Sequence, residues 1–84
     1  MTAVTLVLQR SGKNIGYFHD TYRLVHFMAN NCDNDTVNIE VWEEDLLIYS
    51  LVHSVTGSGA SLWNLVSVLE TNKSLREGRK GIKL

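Results

Sequence analysis

A chain of 84 residues, 44% hydrophobic and 20% charged, has room for one domain and is too apolar to be disordered. Its formal net charge is −1, and its longest apolar runs are a few residues, far below the roughly 20 that cross a bilayer. Those values exclude a strongly basic nucleic-acid binder and a helical membrane protein.

In chain order, Val4, Leu6 and Leu8 alternate with Thr5, Val7 and Gln9, the period of a strand. Ser11-Gly12-Lys13-Asn14 is a turn signal, and Ile15 and Tyr17 then make a short return strand. Asp20 is an N-cap for a helix of about three turns carrying Leu24, Val25 and Met28. The run from Asn30 to Asp35 ends that helix, since Asn accepts the left-handed conformation of a helix C-terminus.

The plan then repeats. Val37, Ile39 and Val41 alternate with Asn38, Glu40 and Trp42 as a half-buried strand, and Glu43-Glu44-Asp45 is a charged turn. Leu46 to Val55 is apolar on both faces, which predicts a long central strand. This places the edge of the sheet at residues 3–9. Gly57-Ser58-Gly59 breaks the strand. Leu62, Leu65, Val66 and Leu69 fall at i, i+3, i+4 and i+7, the spacing of a helix that Asn72 closes.

The order ββαββα predicts an α+β fold, a two-layer sandwich with a four-stranded antiparallel sheet and two helices on one face. The compact domain is expected over 1–72. Residues 73–84 read as a flexible basic tail with a charge of +4, set against −5 for the rest of the chain. Cys32 is the only cysteine, and Met1-Thr2-Ala3-Val4 has neither the basic region nor the long apolar run of a secretory signal. Both features lead to the expectation of a cytoplasmic protein.

Residue types that carry chemistry are present but do not form a pattern. His19, His26, His53 and Cys32 stand at no metal-ligand spacing. Asp33, Asp35 and Glu44 match positions 1, 3 and 12 of a calcium loop, but Val37 and Asn38 occupy positions 5 and 6, where a ligand and a glycine are required. No nucleophile has a base and an orienting group in a local signature, and the carboxylates of the 43–45 turn lack an environment that would separate their pKa values. No catalytic residue, cofactor or metal is therefore expected.

Two binding patches remain. Thr56-Gly57-Ser58-Gly59-Ala60-Ser61 lies between a strand and a helix, where backbone N–H groups hold anions. Gly57, Ser58, Gly59 and Ser61 are thus candidates for a small anionic ligand such as a nucleotide, although the lysine of a phosphate-binding loop is missing. Glu40, Glu43, Glu44 and Asp45 surround Trp42, an acidic hairpin with an aromatic anchor suited to a basic protein surface. Elimination favours this second patch. The expectation is a small protein-binding module, an inhibitor or adaptor of the type encoded by phage and mobile elements, acting on a protein complex. Neither nucleic acid nor a membrane is an expected partner. A homodimer, formed through helix faces or by joining sheet edges, is compatible with either function and would alternatively be the protein's own structural role.

Overall fold

The computed structural model describes residues 4–56 and 59–81, with side chains over 4–56 and 61–72. Six elements follow one another: β1 (Val4–Arg10), β2 (Lys13–Phe18), α1 (Thr21–Asn31), β3 (Thr36–Glu43), β4 (Leu46–Ser54) and α2 (Gly59–Gly81). The strands form one antiparallel sheet in the order β2-β1-β3-β4, so the fold is α+β with the ββαββα order that the sequence predicts.

Local chemistry accounts for each junction. Ser11 and Gly12 both have positive φ, 54° and 78°, the two-residue turn whose twist matches that of the flanking strands. The Asp20 side chain accepts a hydrogen bond from the Tyr22 backbone N–H, capping α1 as expected. Beyond α1, Asn34 takes φ 63°. The Asp35 N–H donates to the Cys32 carbonyl, and the Asp35 carbonyl accepts from Val55 N–H at 2.8 Å, so the link into β3 is anchored at both ends.

Alternation divides the sheet into two unlike faces. Leu6 and Leu8 of β1 and Val37, Ile39 and Val41 of β3 pack in one cluster with Leu24 and Met28 of α1, Cys32 at its C-cap, and Leu62, Leu65 and Leu69 of α2. Both helices therefore cover this face, and Leu8, Ile39, Leu24 and Met28 are fully buried within it. Gly16 lies opposite Leu8, and a Cβ there would meet the Phe18 ring at 2.6 Å. That ring in turn packs on Phe27 with centroids 5.4 Å apart.

Three expectations are corrected. The apolar run at Leu46–Ser54 is an edge strand rather than the centre of the sheet. Its apolar residues do not reflect cover on two faces, because Leu46, Leu47 and Val52 are exposed. Conversely β1, expected at the edge, lies between β2 and β3. Finally, α2 runs past Asn72 to Gly81. The Asn72 side chain donates to the Val68 carbonyl at 3.0 Å, an i−4 bond that a helix interior accommodates. Leu, Arg, Glu and Lys, all good helix formers, dominate the stretch beyond. Among the described residues, no helix is long and apolar enough to cross a membrane.

Candidate functional site

Among the described residues no helix packs on the second face of the sheet, and cross-strand registry fixes what it presents. Tyr17, Val7, Glu40 and Ser50 form one row across the four strands; Thr5, Trp42 and Leu47 form the next. On the other side of the first row lie Asn14, Gln9, Asn38 and Val52.

The rows differ in chemistry. Asn38 Nδ2 donates to Gln9 Oε1 at 2.8 Å, Gln9 Nε2 donates to Asn14 Oδ1 at 2.7 Å, and Asn14 Nδ2 donates to the Tyr17 hydroxyl at 3.1 Å. These amides largely satisfy one another. Around Trp42 the surface is apolar and acidic instead. Trp42 Nε1 donates to Glu40 Oε1 at 3.1 Å, a bond between residues two apart on one strand and so on one face. It ties the half-buried indole to the neighbouring carboxylate, and exposed Leu47 pairs with Trp42 across the strands. Val7 is buried although it lies outside the core cluster, so this face has a small apolar floor of its own.

The acidic hairpin is only partly assembled on that face. Glu40 and Trp42 share it, and Glu44 and Asp45 form the exposed tip of the β3–β4 turn. Glu43 pairs with Val4, which packs against the core, so alternation sends it to the helix side.

At the glycine-containing loop, Gly57 and Ser58 lie outside the described residues, and Gly59 opens α2. The Ser61 hydroxyl accepts from the Thr56 backbone N–H at 3.3 Å, so this oxygen already closes the loop onto the helix. Nearby, burial pushes the His53 imidazole pKa below its ordinary value, and a hydrogen bond to the Ser61 backbone partly opposes that shift.

The remaining histidines and the cysteine are dispersed. His19 Nδ1 lies 2.9 Å from the Val4 carbonyl, and His26 faces Asn30 one turn along α1. The Cys32 thiol is fully buried. Burial raises its pKa against the opposing pull of the Arg10 guanidinium, which disfavours the thiolate form. Among the described residues, no three His, Cys, Asp or Glu side chains gather as a metal site.

No known protein family, curated protein or solved structure matches the chain. The functional reading therefore rests on its surfaces. Sequence periodicity alone did not reveal two of them. One is the row Tyr17–Val7–Glu40–Ser50, whose members come from four strands. The other is an open groove of about 870 Å³ between β2 and α1, lined by Tyr17, His19, Tyr22, Arg23, His26 and Phe27. Registry and helix placement create both, and neither leaves a local signature in the chain.

Proposed function

We propose that this protein is a small non-catalytic binding module, an inhibitor or adaptor, which docks the open face of its sheet onto a basic surface of a protein partner. The observation that carries this reading is the Trp42–Glu40 pair on an uncovered face, an indole held in place by a carboxylate. A tryptophan fixed before binding loses little side-chain entropy on docking, and Trp is enriched among residues that dominate binding energy. Exposed Leu47 extends the apolar contact, and Glu44 and Asp45 supply negative charge at its margin. Opposite charge on a partner would steer association and confer salt sensitivity. The described open-face positions of the strands carry no Lys or Arg.

Native mass spectrometry of the complex purified without a salt wash tests the proposal, followed by titration with the identified partner. Trp42→Ala should weaken binding by at least about thirtyfold while the domain stays folded, in line with the roughly 2 kcal/mol or more of an interface anchor. Glu44→Gln with Asp45→Asn should chiefly slow association and flatten its salt dependence. Loss of folding in Trp42→Ala, or partner affinity unchanged in both variants, would remove the basis for this surface.

A further inference from the structure

The two edges of the sheet are protected very differently. The β2 edge begins with Lys13, has a register shift opposite Leu8 and Gln9, and lies beside α1. Charge, a bulge and an adjacent helix are devices that keep a free edge from pairing. β4, the other edge, reads Leu-Leu-Ile-Tyr-Ser-Leu-Val-His-Ser, with no Lys, Arg, Asp, Glu or Pro. It also carries Leu46, Leu47 and Val52, the last 70% exposed.

Hydrogen-bond phase identifies the groups this edge offers. Val55 N–H donates to the Asp35 carbonyl, so positions 55, 53, 51 and 49 direct their backbone groups inward to β3, given the registry Val37–His53, Ile39–Leu51 and Val41–Tyr49. Ser50, Val52 and Ser54 therefore point their N–H and C=O groups outward. The Thr36–Ser54 pair agrees: its hydroxyls are 3.2 Å apart, as expected of a closely spaced, non-hydrogen-bonded pair. No hydrogen bond from the described residues reaches those outward backbone groups.

We infer that the β4 edge pairs antiparallel with β4 of a second copy, with Val52 on the two-fold axis, joining the two sheets into one. The register follows from the strand itself. The ladder with β3 is irregular between Val41 and Trp42, where Ile48 is the extra residue. The regular ladder is therefore Tyr49–Ser54, continued by the Val55–Asp35 backbone bond, and Val52 is the middle one of the outward-facing residues Ser50, Val52 and Ser54. Pairing about that midpoint sets Val52 against Val52 of the second copy, Ser50 against Ser54, Leu51 against His53 and Tyr49 against Val55. Every outward N–H and C=O then meets an outward partner. The open face gains a β-branched apolar pair flanked by serine pairs, with no carboxylate or ammonium opposite its like. Such a contact is isologous and closes after two copies. A foreign strand would satisfy the same backbone groups, but in this register β4 meets itself with no Lys, Arg, Asp or Glu opposed to its like and with every outward backbone group matched.

Sedimentation velocity over a concentration series, combined with amide hydrogen exchange at its two ends, tests the pairing. The expected result is a shift from monomer to dimer mass with rising concentration. The Ser50, Val52 and Ser54 amides should exchange freely in the monomer and become protected in the dimer. The Leu51, His53 and Val55 amides should be protected throughout. Val52→Lys, which places two ammonium groups together on the axis, should remain monomeric across the series with an unchanged far-UV spectrum, and Val52→Thr should still dimerise. A monomer at every concentration overturns the inference and leaves the edge to a foreign strand. A dimer that survives Val52→Lys, or protection at Ser50, Val52 and Ser54 that does not vary with concentration, overturns it as well. None of these readouts depends on the binding partner proposed for the open face.

Discussion

Arg10 Nη1 lies 2.9 Å from Asp35 Oδ2 and donates over the same distance to the Asn31 carbonyl. One guanidinium thus joins the end of β1, the last residue of α1 and the residue that precedes β3. The Asn31 carbonyl is among the groups that a helix C-terminus leaves without an intrahelical partner, and a cation is favourable there.

Arg10→Met keeps the apolar stem and removes both bonds. It should lower stability by about 1 kcal/mol, because the two side chains of the ion pair are each some two-fifths exposed and solvent screens them. Asp35→Asn should lower it less, since the helix-capping bond remains. Urea denaturation of the two single variants and the double variant measures the coupling. An Arg10→Met domain as stable as the parent would mean that water caps α1 equally well.

Glu44 adopts φ 58° in the turn between β3 and β4. This left-handed region costs a non-glycine residue roughly 1 kcal/mol. Glu44→Gly relieves that strain and part of the repulsion among neighbouring carboxylates, against the greater freedom of glycine in the unfolded chain. The net expectation is a gain of about 0.5 kcal/mol, or a rise of a few degrees in melting temperature. A fall would show that the Glu44 side chain makes a stabilising contact that outweighs its backbone strain.

His53 makes folding depend on pH. Burial lowers its pKa in the folded state from an ordinary 6.5, so the unfolded chain binds the proton more tightly. Its contribution is fully present above pH 6.5 and falls as pH drops from there toward the folded value. Thermal unfolding of the parent and of His53→Gln, followed between neutral and mildly acidic pH, isolates this effect. The parent should lose more stability than the variant over that window, and parallel curves would show that His53 is as solvated in the fold as in the unfolded chain.

Much of the architecture was legible from local rules. Strand alternation at Val4–Leu8 and Val37–Val41, the Asp20 cap and the Leu62–Leu69 spacing each follow from short-range sterics and hydrogen bonding, and the ββαββα order follows from them. Strand position was not legible, because an apolar run such as Leu46–Val55 reads alike whether a second layer covers it or it stands at the edge of the sheet. The helix end at Asn72 was misplaced for a related reason: a side chain that can stop a helix can also bond back to the Val68 carbonyl within one.

The candidate surface divides in the same way. Residues 40–45 announce an acidic hairpin with a tryptophan, a property of composition that any fold would keep. Only the tertiary structure decided that Glu40 and Trp42 share the uncovered face while Glu43 turns to the other, and that Val7 and Tyr17 join Glu40 in one row. Sequence determines what a strand carries on each side, since alternation is local. Which side meets a helix, and which strand is left at the edge, depends on pairings between distant segments, settled by burying Leu8, Ile39, Leu24 and Met28 together.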